Sequence, residues 1–190
     1  MARSEAHEAR RVQLLAVGKR IFSARPYAAV SIEDIAAEAG VSTGLLYHYF
    51  GNKRGLYVAS IRSFGEVLVA AMIFPAGVAL PEATLAALHR FHAFIQQNEA
   101  LYRGVMRGGA ADAEVHAIVE QVRASILGRI LFAAGVQPTP TLTFHLYGWL
   151  GYVEFSSLHW LAEQAIPHDE VIALQLGALP HALLTVKGRP

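Results

Sequence analysis

The stretch SIEDIAAEAGVSTGLLYHYFGNK, from Ser31 to Lys53, leaves little freedom in how the surrounding chain can fold. Ser31 is a residue type that caps helices, and Asp34, three positions on, can reach back to it as a capping box. Glu33 and Asp34 place negative charge at the positive end of the helix dipole. Ile32, Ile35, Ala36 and Ala39 follow at i, i+3, i+4 and i+7, which makes one buried stripe. Gly40 stands where this helix must stop, because glycine enters the left-handed conformation without steric cost. Ser42 can then cap a second helix. Helix, tight turn and helix together form the pattern of a major-groove DNA reader.

The second helix presents an unusual face. At about 100° per residue, Thr43, Gly44 and Tyr47 fall within one arc, with His48 and Tyr49 at its edges and Leu46 turned toward a core. A hydroxyl and a phenol can bond phosphates or base edges, a glycine lets the backbone come close, and Lys53 just beyond supplies phosphate charge. The candidate DNA-contacting set is Ser31, Ser42, Thr43, Gly44, Leu45, Tyr47, His48, Tyr49 and Lys53. The alternative is an ordinary solvated helix face. The agreement of caps, turn and spacing favours the groove reading. Charge leans the same way: residues 1–60 carry eight basic groups against five acidic, and the remainder carries eight against ten. Phosphate binding requires an excess of that sign, although one this small is weak by itself.

The run YAAVSIEDIAAEAGVSTGLLYHYFGNKRGL resembles the N-terminal signature of the TetR (tetracycline-repressor-type) family of regulators. The resemblance rests on Phe22, Tyr27, Ser31, Ile35, Ala36, Ala39, Gly40, Val41, Ser42, Leu46, Tyr47, Tyr49, Phe50, Lys53 and Leu56. Pro26 departs from it, since the family pattern usually has glycine before the aromatic. Proline fixes φ near −65°, so the loop after the first helix is expected to take its own path. The resemblance implies a DNA-binding head over residues 1–52 and a helical ligand-binding and dimerisation domain over 53–190. It further implies a ligand-responsive regulator, most often a repressor, released from a palindromic double-stranded operator by a small molecule. Half-sites about one helical turn or more apart would match a symmetric dimer.

Composition narrows the remaining possibilities. With 54% apolar and 16% charged residues in a chain of 190, an oligomer or an internal cavity is expected to take up the apolar surplus. The absence of cysteine excludes disulfides, thiolate metal sites and cysteine nucleophiles, and fits a reducing cytoplasm. The charged N-terminus does not read as a signal peptide. The longest apolar run, Val67 to Leu80, contains Pro75 and is too short to span a membrane.

Periodicity and breakers give an all-α chain of about nine helices. Residues 1–25 read as the first, with Val12, Leu15, Ala16, Lys19 and Phe22 at helical spacing. Arg3, Arg10 and Arg11 near its start can reach a flanking phosphate or simply sit in solvent. After the two helices of the motif, residues 53–74 read as a long fourth helix, the natural lever between head and body, ending before Pro75. Further helices are expected over 82–97, 99–107, 112–134, 139–164 and 169–186. Thr139 and Pro140 suit the start of the eighth helix. Gly108-Gly109 breaks the sixth, and Pro180 kinks or interrupts the last.

The helix over 139–164 carries two stripes. Phe144, Gly148, Gly151, Phe155 and Leu158 form one. Mid-helix glycines cost about 0.5–1 kcal/mol each, which close helix contact would offset. The resemblance implies a four-helix interface between the last two helices of two chains, and this stripe is the candidate for it; packing within one chain is the alternative. His145, Trp149, Tyr152, Ser156 and His159 form the second stripe, large rings with polar tips. With Phe91, His92, Tyr102, Met106 and Phe132, it is the candidate lining of a mostly apolar effector pocket, the effector itself being unidentified. Plain core is the alternative for each.

His89 and His92 at i, i+3 could supply half of a metal site, but without cysteine or a fixed carboxylate partner no metal or other cofactor is expected. Ser156-Ser157 beside His159 is the nearest approach to a hydrolase, and it lacks an orienting carboxylate. An interaction bundle that no longer binds DNA is the other alternative. The chain is therefore not expected to be an enzyme.

Overall fold

In the computed structural model, residues 2–75, 77–108 and 112–184 are described, with side chains from residue 5 to 179. Gly109 and residues 185–186, named above, lie outside that description, as does the side chain of Arg3. Among the described residues there are nine α-helices and no strand. They are α1 (Ala2–Ala24), α2 (Ile32–Ala39), α3 (Thr43–Phe50), α4 (Lys53–Ala71), α5 (Leu80–Gln97), α6 (Glu99–Gly108), α7 (Ala113–Ala134), α8 (Pro140–Glu163) and α9 (His168–Leu184). A single 3-10 turn, Tyr27–Ala29, follows Pro26.

The chain packs as two compact units. The first contains residues 1–66 and 97–118; the second contains residues 67–96 and 119–190. This division does not follow a boundary at 52/53. Helix α4 contributes to both units, and α6 with the start of α7 belongs with α1–α3.

Leu14, Ile21, Phe22, Ile35, Leu46, Leu56, Ile61 and Leu101 are buried in the first unit. Each such side chain removed from water contributes about 1.5–3 kcal/mol. The inward face of α1 is set by Leu14, Gly18, Ile21 and Phe22, not by the stripe expected from Val12, which is 54% exposed. Gly18 lies on that buried face. A Cβ there would lie 2.8 Å from Leu56 Cδ1, so the glycine is what lets α1 and α4 meet. Lys19 donates to Ser63 Oγ at 3.0 Å, and Ser23 donates to Asn98 Oδ1 at 2.7 Å.

In the second unit, Leu88, Ile95, Ile130, Leu142, Leu146, Leu150, Trp160 and Ile172 are buried. Helix α4 stops at Ala71, before the expected end next to Pro75, and side chains satisfy carbonyls at and just beyond its end. Arg90 donates to the Ala71 and Ile73 carbonyls at 2.8 and 2.7 Å, and Arg129 donates to the Met72 carbonyl at 2.9 Å. Thr139 Oγ1 accepts from the Leu142 amide at 3.1 Å, with Pro140 opening α8. Arg123 ties α7 to α8 through both Glu154 oxygens, at 3.0 and 2.6 Å. The backbone of α9 remains helical through Pro180, whose lack of an amide proton did not end the helix.

Candidate DNA-binding face and effector-pocket residues

The motif of the first unit is built from its caps. Asp34 N–H donates to Ser31 Oγ at 3.0 Å, and Ser31 N–H donates to Asp34 Oδ2 at 3.1 Å, a complete capping box. The Ser31 amide, then its hydroxyl, then the Arg25 guanidinium 3.3 Å away hold the Asp34 carboxyl below its ordinary pKa. Gly40 adopts φ 63°, ψ 38°, a region costly for other residues. Val41 N–H then reaches the Ala36 carbonyl at 3.0 Å, closing the turn. Ser42 Oγ accepts from the Leu45 amide at 3.3 Å and starts α3. Ile32, Ile35 and Ala36 of α2 and Leu46 of α3 point inward together.

What remains outside is the candidate face. Ser42, Gly44, Tyr47 and His48 are exposed, Tyr47 at 47%, while Thr43, Leu45 and Tyr49 are half-buried. A Cβ at Gly44 would meet only Ser42 Oγ, at 3.8 Å, so nothing within the chain requires glycine there. His7 of α1 lies against the end of this face, its ring 4.6 Å from Tyr49 and 5.9 Å, edge-on, from His48. Nothing in the spacing of the motif announces His7, which is distant from it in sequence. Arg11 sits 5.7 Å from the Phe50 ring and 3.6 Å from Glu8.

Lys53 also makes contacts within the chain. Its ammonium donates to the Val30 carbonyl at 2.8 Å and the Tyr27 carbonyl at 3.1 Å, and lies 4.0 Å from the centre of the Tyr27 ring. It fastens the loop after Pro26 to the start of α4, with two of its three N–H groups engaged. Gly55 was not singled out by sequence and is sterically required: a Cβ would collide with the Phe50 carbonyl oxygen. Its amide donates to Asn52 Oδ1 at 2.8 Å, so Asn52 caps α4. The repeated glycine of GNKRGL was the available signal.

The candidate effector residues are distributed over both units. Tyr102, which is buried, and Met106 belong to the first unit; His92, Phe132, His145, Trp149, Tyr152 and His159 belong to the second. Trp149 is buried and donates to the Gln175 carbonyl at 2.9 Å. Phe132 is 84% exposed and edges a cavity of about 340 Å³ with Ile73, Phe74, Ser125, Gly128 and Arg129. Tyr152 and His159 line a groove of about 160 Å³ along α8 and α9, with Ser156, Trp160, Ile166 and Leu174. Spacing along α8 put Trp149 and Tyr152 in one stripe, about 60° apart around the helix, yet Trp149 is buried and Tyr152 is 41% exposed, so the core boundary runs between them.

His92 belongs to a buried polar network. Its Nε2 lies 3.0 Å from Gln175 Oε1 and 3.2 Å from Ser157 Oγ, and Gln175 Nε2 donates to Ser156 Oγ and Ser157 Oγ at 2.9 and 3.0 Å. Burial, the largest cause, lowers the His92 pKa to about 4, with the Gln175 hydrogen bond opposing and the charges of His168 and His89 reinforcing the shift. The hydroxyl next to an imidazole is thus Ser157 at His92, not at His159, and it is sealed from solvent. Ser156 donates back to the Tyr152 carbonyl at 2.6 Å.

On the candidate dimer stripe, Phe144 is 77% and Phe155 68% exposed, Gly148 is exposed, and Gly151 and Leu158 are half-buried. A Cβ at Gly148 or Gly151 would meet nothing within 4 Å, so packing within the chain does not account for the glycines.

A capped helix, a left-handed glycine turn and a second helix with its polar, tyrosine-bearing side outward define a helix-turn-helix protein, here joined to a further all-helical unit. Comparison with known proteins narrows the class. Residues 14–59 match the family described as bacterial regulatory proteins, tetR family, and residues 80–179 match the tetracyclin repressor-like C-terminal domain. The chain belongs to the TetR family. A tetR-family transcriptional regulator from Streptomyces coelicolor is 30% identical, with 92% of this chain and 79% of that one covered at a TM-score of 0.83. The HTH-type transcriptional regulator HbdR of Aromatoleum sp. (strain CIB) is 39% identical over 56 residues, 30% of this chain and 24% of that protein. BetI of Rhizobium meliloti (strain 1021) is 37% identical over 82 residues, 43% of this chain and 40% of that protein. The chain thus spans less than half the length of these two curated relatives. Among the described residues, no helix is long and apolar enough to cross a membrane.

Proposed function

We propose that the protein is a ligand-responsive transcriptional repressor of the cytoplasm. It binds a palindromic operator as a homodimer and leaves it when a small, largely apolar molecule occupies the helical body. Residues 1–52 act as the DNA-binding head, residues 53–190 as the ligand-binding and dimerisation domain, and α4 as the lever between them. The observation that carries this reading is the outward face of α3, where Gly44 has no packing reason and Tyr47 stands in solvent. Ser42, Thr43, Gly44, Tyr47 and His48 contact DNA. Ser31 and Lys53 position the motif through the capping box and the Val30 carbonyl. The stripe from Phe144 to Leu158 pairs with its symmetry mate. An effector favours the state in which the two heads are wrongly spaced, and shifts operator affinity by its differential affinity for the two states.

The test is selection of a binding sequence from random DNA, followed by fluorescence anisotropy across a salt series. The reading expects a palindromic consensus, a steep loss of affinity with salt, and at least a tenfold loss for Tyr47→Ala with unchanged thermal stability. Equal affinity for all sequences, or a Tyr47→Ala protein that binds as the parent does, overturns it. An apolar compound that saturates the body without moving operator affinity overturns the effector step alone.

A further inference from the structure

Helix α5 and the first turn of α9 bring together three side chains that the proposed function does not use. His89, His168 and Asp169 each offer one ligating atom, and these atoms all lie within 4.8 Å of one another. A second observation comes from the inner side of the same cluster. His168 Nε2 and His92 Nδ1 are buried without a hydrogen-bond partner, and the two rings are 4.9 Å apart. Buried polar atoms are nearly always paired, so two orphaned imidazole nitrogens in neighbouring rings call for an explanation.

Proton placement says how the two could pair if the rings drew closer. His92 Nε2 faces Gln175 Oε1 at 3.0 Å, an acceptor only, so the proton of the neutral ring sits there and Nδ1 is left as a bare acceptor. His168 Nδ1 lies 3.9 Å from Asp169 Oδ1, on the side of the ring away from its orphaned nitrogen. A cation bound at Nδ1 would fix the His168 proton on Nε2, beside the ring that has an acceptor to offer. Metal-bound histidines characteristically donate their second nitrogen in this way. Trp160 covers the inner side, 5.5 Å from the His92 ring and 4.9 Å from that of His168. His89 and Asp169 are exposed, which leaves an entry path and room for water ligands.

We propose that His89, His168 and Asp169 bind one divalent first-row transition-metal ion per chain, with water completing the coordination and His92 as the outer partner of His168. Two imidazoles and a carboxylate suit zinc, cobalt or nickel rather than magnesium or calcium. Bonds of about 2.0–2.2 Å require the donors to draw closer, which exposed His89 and Asp169 side chains can do. The positive end of the α9 dipole opposes a cation, and the carboxylates of Asp169 and Glu170 in that first turn offset it.

The experiment titrates the untagged, full-length protein, stripped of metal, with Zn²⁺ against a chromophoric chelator, and repeats it with Co²⁺ read by visible absorption. One equivalent per chain is expected, weakened at least tenfold by His89→Ala or Asp169→Asn and abolished by His89→Ala with His168→Ala. His145→Ala should leave it unchanged. Imidazole NMR signals of His89 and His168 in the parent protein should move with zinc while that of His145 stays, which decides the matter even where a variant fails to fold. No zinc retained against the chelator, or one equivalent that survives the double substitution, overturns the site. DNA binding enters none of these readouts.

Discussion

Ser31 and Asp34 hold the first turn of α2 through two reciprocal hydrogen bonds. Ser31→Ala is expected to cost about 1 kcal/mol in chemical denaturation. The carboxyl of Asp34 is held below its ordinary value, so its contribution is present above the unfolded carboxylate pKa and lost as pH falls through the lower folded value. Denaturation curves taken through that acid range should converge for the parent and Asp34→Asn at the low end. Gln175→Leu should act through a different route. It leaves His92 Nε2 and Ser157 Oγ without their amide partner in a buried site, at about 1–3 kcal/mol, read as a lower midpoint in urea. The capping box was legible in the sequence because both partners are three residues apart. Gln175 was not, since its partners lie on α5 and α8. Lys53 shows the same limit: only the fold brings the carbonyls of Val30 and Tyr27 to it.

At the scale of elements, caps and glycines located the helices well, because those signals are local. Faces were harder to read. On α1 seven of the eleven positions from Val12 to Phe22 are apolar, so spacing alone admits more than one stripe, and the buried one runs through Leu14, Ile21 and Phe22 with Gly18 against Leu56. On α8 the glycine stripe was separable, whereas the aromatic one divides between core and surface. The tie between α4 and α7 was invisible for want of sequence proximity. Arg54 forks onto both Asp112 oxygens at 2.7 and 3.0 Å and onto Glu114 at 3.1 Å. Arg54→Ala should lower the thermal midpoint at low ionic strength, with the difference shrinking as salt rises, because these groups are solvent-exposed. Arg54→Lys should recover little of it, since an ammonium cannot reproduce the planar fork.

For the whole molecule, composition already pointed to surplus apolar surface, and the structure places much of it at Phe144, Phe155 and Phe132. Phe155→Glu is expected to leave the helical signal in circular dichroism intact and convert the protein to monomer in light scattering. Operator affinity should fall with it, since one head would then engage one half-site. A dimeric Phe155→Glu protein would move the interface elsewhere. Neither operator nor effector could be read from the sequence, because both depend on how side chains from separate helices converge.

The stripe from Phe144 to Leu158 contains no charged residue. Partner choice between similar proteins commonly relies on something that repels the wrong one, and here electrostatics provides nothing of the kind along the stripe. If the stripe pairs two chains as proposed, self would be told from sibling only by the fit of its phenylalanine rings and two bare glycines. In a cell that makes several proteins of this family, mixed pairs would face no penalty of charge along it. Each would carry two different reading heads and answer to sites that neither parent recognises alone.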